Sequence, residues 1–123
     1  MRPPMLILVA HGSRDPHWRA SVEKLTESLQ ADLSKESVRL AYMDCTPPTL
    51  MDVASDAVQA GVQRIRVLPL FLTNEGHVDR DIRPLVDQVR AVHRPIEVEL
   101  LPPVGQHPLF REVLYKIAVQ TTE

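Results

Sequence analysis

The chain has 123 residues, a formal net charge of −2 and one cysteine, Cys45. This length fits a single domain over residues 1–123 that needs no cross-links, and one cysteine cannot form an intrachain disulfide, a CxxC redox pair or a cysteine-ligated cluster. The near-zero charge argues against a nucleic-acid partner, and the lack of an apolar run of about 18 residues argues against a membrane span, so the sequence predicts a cytoplasmic protein.

Short apolar runs alternate along the chain with segments of helical period. The runs predict four β-strands, at residues 5–10, 38–43, 65–72 and 96–101. The first and third runs are almost continuously apolar, which is typical of strands covered on both faces. Pro69 lies in the third run and cannot donate to a β-ladder, so we place it near the exit of that strand.

Apolar residues at steps of three or four predict a helix after each strand. The first covers residues 16–34, with Asp15 as its N-cap and a proline in the first helical position. The second is capped by Thr46 or Thr49 and ends at Gly61.

The third helix is expected to begin near Asp81, so that Pro84 falls within its first turn, and the fourth to begin at Pro108. The order βαβαβαβα with short connections predicts an α/β fold. This is one doubly wound domain in which helices flank a four-stranded parallel sheet, layered as in flavodoxin. In such open sheets, ligands bind beyond the carboxyl ends of the strands.

Three of the five histidines fall in the loops at that edge of the predicted sheet. They are His11, His77 and His107, and the same loops hold the carboxylates of Asp44 and Glu75. The four glycines lie too far apart for a G-x-G-x-x-G or Walker A phosphate loop. Imidazole and carboxylate without a phosphate loop suit a borderline divalent metal better than a nucleotide.

The most informative of these side chains have two interpretations each. His11 follows the first strand directly and His77 follows the third, so each is either a metal ligand or an ordinary loop histidine. Gly76 permits a backbone conformation that would help to present His77 and Glu75. Asp44 is either a helix-capping carboxylate or a site carboxylate that faces the histidines.

Other candidates favour structural roles or remain open. His107 is expected to cap the fourth helix, His93 suits the C-terminal end of the third helix, and Cys45 is expected to be a small core residue. Arg14 and Arg80 flank the two histidine loops. They either lie on a solvated face or pair with an anionic substrate.

Three segments stand in a recognisable order. They are His-Gly-Ser-Arg at 11–14, Pro-Leu-Phe-Leu at 69–72 leading into Gly-His-Val-x-x-Asp-Ile at 76–82, and Pro-Pro-Val-Gly-x-His-Pro-Leu at 102–109. Together they span nearly the whole chain, which resembles the short CbiX-type class II tetrapyrrole chelatases. The resemblance implies a chelatase-like domain. The resemblance implies a lyase that inserts Co²⁺, Fe²⁺ or Ni²⁺ into sirohydrochlorin, in tetrapyrrole biosynthesis of the cobalamin or siroheme type.

The resemblance also implies roles for particular residues. His11 and His77 would be the metal ligands and catalytic groups, with Glu75 as a further catalytic residue. Four residues are expected to bind the tetrapyrrole: Ser13, Arg14, Arg80 and Asp44. The metal ion would be a substrate, and no permanently bound cofactor is expected. Relatives often carry a glutamate at the position of Asp44.

The size of the chain leads to one further expectation. A four-stranded domain of 123 residues is too shallow to enclose a macrocycle, so we expect a homodimer whose two crevices face each other. A second function remains open from the sequence, because a non-catalytic metal or tetrapyrrole carrier would use the same histidines.

Overall fold

The four apolar runs form the strands of one sheet in the computed structural model, which describes residues 3–34, 37–74, 76 and 78–120. The strands are β1 (Met5–Ala10), β2 (Val38–Tyr42), β3 (Arg64–Pro69) and β4 (Glu97–Leu100). The helices are α1 (Pro16–Asp32), α2 (Leu50–Gln59), α3 (Arg83–Val92) and α4 (Pro108–Val119). A π-helical turn (Val78–Ile82) precedes α3, and a 3₁₀ turn (Val104–Gln106) precedes α4.

All strand pairs are parallel, in the order β2-β1-β3-β4. This confirms the predicted α/β class and four-stranded parallel sheet. β1 and β3 are the two central strands, and β1 is buried over nearly its whole length. The carboxyl ends of the strands meet at one edge, so the loops after β1, β2 and β3 lie beside one another there.

Pro69 ends β3, as predicted, although β3 is a central strand. Its neighbour Leu70 donates its backbone N–H to the carbonyl oxygen of Val9 in β1, at 2.8 Å. Backbone N–H groups alternate in direction along a strand, so the nitrogen of Pro69 faces the β4 side. The pairing with β4 has ended there at Val67 and Leu100, so proline removes no ladder bond.

The first two helices begin at the predicted kind of cap. Asp15 accepts a hydrogen bond from the backbone N–H of His17 at 2.9 Å. Thr49, rather than Thr46, caps α2, because its side chain and that of Asp52 form a reciprocal capping box. Gly61 follows α2 with a φ of 85°, in the left-handed region that favours glycine.

The last two helices also begin near the predicted positions. Pro84 lies in the first turn of α3, where its missing N–H leaves no helical bond unmade. His107 caps α4, because its Nδ1 accepts from the backbone N–H of Leu109 at 3.1 Å. This confirms the capping role predicted for His107.

The two faces of the sheet carry different helices. Tyr42 of β2 donates to Glu23 of α1 at 2.7 Å, while Arg39 of the same strand donates to Asp56 of α2 at 3.1 Å. Residues at odd and even positions of a strand point to opposite faces, so α1 covers one face, and α2 and α3 cover the other. The main core lies beneath α2 and α3 and includes Ile7, Val9, Leu50, Val53, Ile65, Val67, Val86 and Val89.

None of the helices within the described residues is both long and apolar enough to cross a membrane.

Candidate functional site

The ends of β1 and β2 bring His11 and Asp44 together. His11 follows the last residue of β1, and its Nδ1 lies 3.8 Å from Oδ2 of Asp44. The other carboxylate oxygen, Oδ1, accepts the backbone N–H of Gly12 at 2.9 Å. Both side chains are about half exposed, 53% for His11 and 47% for Asp44. Of the two interpretations of Asp44, the structure favours a carboxylate that faces the histidine.

Glycine is required at position 12 because the two loops approach closely. A Cβ atom at Gly12 would overlap the carbonyl oxygen of Asp44. Any larger residue would therefore push apart the turns that carry His11 and Asp44. The glycine of the His-Gly-Ser-Arg segment thus sets the distance between the imidazole and the carboxylate.

An aromatic ring from the loop after β3 contacts His11. The ring centroids of His11 and Phe71 are 4.9 Å apart, with an angle of 49° between the ring planes. This tilted arrangement restricts the orientation of the imidazole. The sequence placed Phe71 within the predicted third strand at residues 65–72, and it gave no signal for this contact, because only the structure shows that β3 ends at Pro69.

The loop after β4 is fixed against the same segment. Gly105 donates its N–H to the carbonyl oxygen of Phe71 at 3.0 Å. A Cβ atom at Gly105 would overlap the carbonyl of Leu72, so a side chain there would displace the loop. The loop after β4 is therefore tied to the loop after β3, just as the loop after β2 is tied to the loop after β1.

A cavity of about 510 Å³ lies beside His11, on the face of the sheet that carries α1. Its size is within the range of small-molecule sites. The turn after β1 forms its polar side, whereas Trp18 and Leu70 supply apolar walls. Trp18 is 78% exposed. Trp18 lies within the helix predicted at residues 16–34, and the sequence did not identify it as a cavity residue.

Hydrogen bonds anchor the turn after β1 to α1 and β2. Arg19 Nη1 donates to the carbonyl oxygen of Ser13 at 2.7 Å, and Arg19 Nε lies 3.4 Å from Oε2 of Glu23. The same oxygen of Glu23 accepts the hydroxyl of Tyr42 at 2.7 Å. Burial, and then the hydrogen bond to Glu23, raise the pKa of Tyr42 well above its ordinary value. This network was not predicted, because its members lie far apart in the sequence.

The residues predicted to bind the tetrapyrrole occupy two separate regions. Ser13 lines the cavity, and its Oγ accepts the backbone N–H of Asp15 at 3.1 Å. Arg14 is exposed beside it. Arg80 lies in the π-helical turn, and its Nε donates to the carbonyl oxygen of Gly76 at 3.3 Å. The structure thus places Arg80 against its own turn.

The predicted ligand His77 and the predicted catalytic residue Glu75 lie outside the described residues. Gly76, between them, has a φ of 86°, which agrees with the expected need for a glycine at that position. Within the part of the chain that is described, no three histidine, cysteine, aspartate or glutamate side chains gather around one point. At the carboxyl edge, the imidazole of His11 meets the carboxylate of Asp44.

Two further residues were assigned structural roles from the sequence. His93 ends α3 and lies 2.9 Å from the hydroxyl of Ser55 through its Nε2, which agrees with a structural role. The prediction that Cys45 is a core residue is wrong, because Cys45 is exposed and has a φ of 67°. β2 ends at Tyr42, so the alternation of strand faces does not extend to the turn that holds Cys45.

Comparisons with known proteins agree with this fold. The sequence profile of the CbiX family matches residues 5–121. A sirohydrochlorin cobaltochelatase from Saccharolobus solfataricus is 30% identical over 122 residues, covering 94% of each chain. A second one, from Methanopyrus kandleri, is 38% identical over 77 residues, and that match covers 63% of this chain and about half (54%) of the relative.

Solved structures show the same architecture. A CbiX protein of cobalamin (vitamin B12) biosynthesis from Marinobacter aquaeolei superposes with a TM-score of 0.81 and 30% identity, over 94% of each chain. The sirohydrochlorin chelatase SirB from Bacillus subtilis, in complex with cobalt, superposes with a TM-score of 0.79 at 20% identity. That match covers 95% of this chain but 50% of SirB, and it bears on the fold alone. The chain is a member of the CbiX family.

Proposed function

We propose that this protein is a chelatase that inserts a divalent metal ion into sirohydrochlorin. The observation that carries the proposal is the His11–Asp44 pair at the carboxyl edge of the sheet, beside a cavity of about 510 Å³. Its relatives support the substrate, because those from Methanopyrus and Saccharolobus are named sirohydrochlorin cobaltochelatases. The reaction would be that of a lyase.

His11 is the first metal ligand in this proposal. Its Nδ1 faces Asp44, so we assign the other ring nitrogen, Nε2, to the metal ion. If the 3.8 Å gap closes so that Asp44 accepts a hydrogen bond from Nδ1, the carboxylate would fix the tautomer and raise the basicity of the ligating nitrogen. Contact with Phe71 holds the ring plane, so the imidazole is oriented before the metal ion arrives.

Insertion also requires that two pyrrole N–H protons leave the macrocycle. Asp44 is half exposed and lies beside His11, which places a proton acceptor near the metal ligand. We further propose His77 as the second metal ligand and Glu75 as another acceptor. Because the protein supplies only a few ligands, some coordination positions on the metal ion stay open. The ion needs these open positions when it passes to the four nitrogens of a tetrapyrrole.

The carboxylates around the ring of sirohydrochlorin need cationic and N–H partners. We propose that Arg14 and Ser13 contact them at the cavity, where the N-terminal end of α1 also favours anions. Arg80 would join them by leaving its contact with the carbonyl oxygen of Gly76. That contact joins an exposed side chain to a backbone oxygen, so exchanging it for a substrate carboxylate costs little.

Cobalt is the metal that the relatives' names support, and iron and nickel remain alternatives. Affinity does not separate them, because binding to a site of nitrogen and oxygen donors follows the Irving–Williams order. With cobalt the product would serve cobalamin biosynthesis, and with iron it would serve siroheme. The metal is a substrate in each case, and we propose no permanent cofactor. A cytoplasmic location stays a prediction.

We propose a homodimer as the working form. This chain matches half of the length of SirB, so two copies together would be about as long as one SirB chain. The cavity beside His11 is open and bounded by an exposed tryptophan. A second copy would give the macrocycle a wall that one copy lacks.

An anaerobic absorption assay tests the proposal. Purified protein is mixed with sirohydrochlorin and Co²⁺, Fe²⁺ or Ni²⁺, and the spectrum of the metallated product is followed against a protein-free control. We expect insertion above the spontaneous rate with at least one metal. Binding of the tetrapyrrole without any acceleration would instead favour the carrier function and contradict the proposal.

A further inference from the structure

Ser13 lies in the turn after β1 and is held at two of its atoms. Its carbonyl oxygen accepts a hydrogen bond from Nη1 of Arg19 at 2.7 Å, and its Oγ accepts the backbone N–H of Asp15 at 3.1 Å. Helix α1 begins at Pro16, so the carbonyl of Ser13 precedes the helical hydrogen bonds, and Arg19 supplies its donor. The backbone and the side chain of Ser13 are therefore both fixed.

The hydroxyl hydrogen of Ser13 is available to a ligand. A serine hydroxyl donates one hydrogen bond and accepts two, and Oγ of Ser13 uses an acceptor position for Asp15. Among the residues that the structure describes, none accepts a hydrogen bond from this hydroxyl. Ser13 also lines the cavity beside His11. Its hydroxyl can therefore donate to an oxygen atom of a molecule in that cavity.

Two further side chains hold Arg19 in place. Nε of Arg19 lies 3.4 Å from Oε2 of Glu23, which is one turn further along α1. The same oxygen accepts the hydroxyl of Tyr42 in β2 at 2.7 Å. Tyr42 is buried, and this burial raises its pKa well above the ordinary value, so the hydroxyl keeps the proton that it donates. A buried residue of the sheet thus holds the carboxylate that faces the guanidinium.

The two contacts of Arg19 need a guanidinium group. Nη1 donates to Ser13 while Nε faces Glu23, so two nitrogens of one planar group are used in different directions. Lysine has a single side-chain nitrogen and would not reproduce this arrangement. The side chain of Arg19 is 21% exposed, so its contacts are less screened by solvent than those of a fully exposed arginine.

The turn after β1 therefore has two anchors from different parts of the fold. Asp44, which follows β2, holds Gly12 and faces the imidazole of His11. Arg19, in α1, holds the carbonyl of Ser13. The first anchor lies next to the proposed metal ligand, and the second lies next to the proposed contact with the tetrapyrrole. Metal chemistry and tetrapyrrole affinity should therefore respond to different substitutions.

We propose that Arg19 is a positioning residue that sets the affinity of the protein for sirohydrochlorin, with Glu23 and Tyr42 holding its guanidinium. Arg19 acts through Ser13, because its bond to the carbonyl fixes the backbone from which the Ser13 hydroxyl donates to a carboxylate of the macrocycle. A hydrogen bond to a charged acceptor is strong, and a donor that is already fixed loses little freedom on binding. This inference rests on the proposed function and names the residues that determine its substrate affinity.

Steady-state insertion of Co²⁺, with sirohydrochlorin and the metal varied in turn, measures the effect. Arg19→Leu should raise the KM for sirohydrochlorin about tenfold, the factor expected for one hydrogen bond to a charged group. The kcat and the KM for Co²⁺ should stay near the wild-type values. Arg19→Lys and Tyr42→Phe should give smaller rises in the same KM. The matched control is Arg39→Leu, because Arg39 is a similarly half-buried arginine that bonds to an acid on the opposite face of the sheet.

A double-mutant cycle tests whether Arg19 acts through Ser13. Ser13→Ala removes the hydroxyl but keeps the backbone carbonyl that Arg19 binds. In Ser13→Ala/Arg19→Leu the KM for sirohydrochlorin should therefore be close to that of Ser13→Ala alone, because the two substitutions remove the same contact with the substrate. Effects that multiply in the double variant would overturn the proposal, since Arg19 would then act independently of Ser13. A fall of kcat in Arg19→Leu with an unchanged KM would overturn it as well.

Binding without metal separates this inference from the proposed function. Trp18 is the single tryptophan of the chain and lines the same cavity, so a bound tetrapyrrole, which absorbs near-ultraviolet light, should quench its emission. Arg19→Leu should need about tenfold more sirohydrochlorin for half-maximal quenching than the wild type or Arg39→Leu. Equal titrations in a wild type that inserts metal and in Arg19→Leu would overturn this inference alone. A wild type that neither binds sirohydrochlorin nor inserts metal would overturn the proposed function and this inference with it.

Discussion

The two carboxylate oxygens of Asp44 face different residues: Oδ1 accepts the backbone N–H of Gly12 at 2.9 Å, and Oδ2 lies 3.8 Å from Nδ1 of His11. One carboxylate therefore holds the turn that carries the histidine and also faces its ring. A residue that follows β2 thus contacts both the backbone and the imidazole that follow β1. Substitutions of Asp44 can therefore test the stability of the turn and the metal chemistry separately.

Replacing His11 by alanine should remove the metal ligand without unfolding the protein. His11 is half exposed, so its loss leaves no large cavity in the core. We expect insertion by His11→Ala to fall to the spontaneous rate, with an unfolding midpoint close to that of the wild type. His17→Ala is the matched control, because His17 is an exposed histidine six residues away. Equal loss in both variants would contradict the role of His11.

Two substitutions of Asp44 should separate its two contacts. Asp44→Asn keeps an oxygen for the N–H of Gly12 but removes the charge beside His11, so we expect a 10–100-fold loss of insertion rate at unchanged stability. Asp44→Ala also removes the hydrogen bond, and should lower the free energy of unfolding by about 1 kcal/mol more. Insertion rates and urea unfolding measure the two effects. Normal activity of Asp44→Asn would show that the charge is not used.

Gly12→Ala should disturb the site through the backbone. The added Cβ would overlap the carbonyl oxygen of Asp44, so the two loops must separate. We expect a loss of about 1–3 kcal/mol in the free energy of unfolding, as for other overpacked positions, together with reduced insertion. Ser28→Ala, at an exposed position of α1, should leave both quantities near the wild-type values. Stability of Gly12→Ala equal to that control would contradict the close approach.

Tyr42 should make stability depend on pH in the alkaline range. Folding raises its pKa through burial and the hydrogen bond to Glu23, so the unfolded chain ionises first when the pH passes about 10. The stabilisation is complete below that pH, and it is lost progressively above it. In Tyr42→Phe this part of the loss should disappear. Thermal unfolding between pH 8 and 11 measures the difference, and identical slopes in the two proteins would contradict it.

Most of the architecture could be predicted because local patterns determine it. The apolar runs gave the four strands, and polar caps such as Asp15 gave the helix starts. Pro69 was compatible with a central strand because the β4 pairing ends before it. The prediction for Cys45 was wrong because strand alternation was extended to this residue, although β2 ends three residues before it, at Tyr42.

The site was harder to predict than the fold. His11 and Asp44 could be placed at one edge from strand order, but their contact depends on the close approach of Gly12, which only the structure reveals. Phe71 carried no chemical signal in the sequence. Apolar residues at helical spacing in α4 predicted a helix that buries one face. The structure shows that none of its residues is buried, which the pattern alone could not reveal.

The rate of metal insertion by matched histidine variants tests the central claim most directly. Wild-type protein, His11→Ala and His17→Ala are compared at equal concentration, anaerobically, with sirohydrochlorin and Co²⁺, by the absorption of the cobalt product. The account predicts rapid insertion by the wild type and His17→Ala, and only the spontaneous rate with His11→Ala. Insertion by His11→Ala at the wild-type rate, or no insertion by the wild type with any of the three metals, would contradict it.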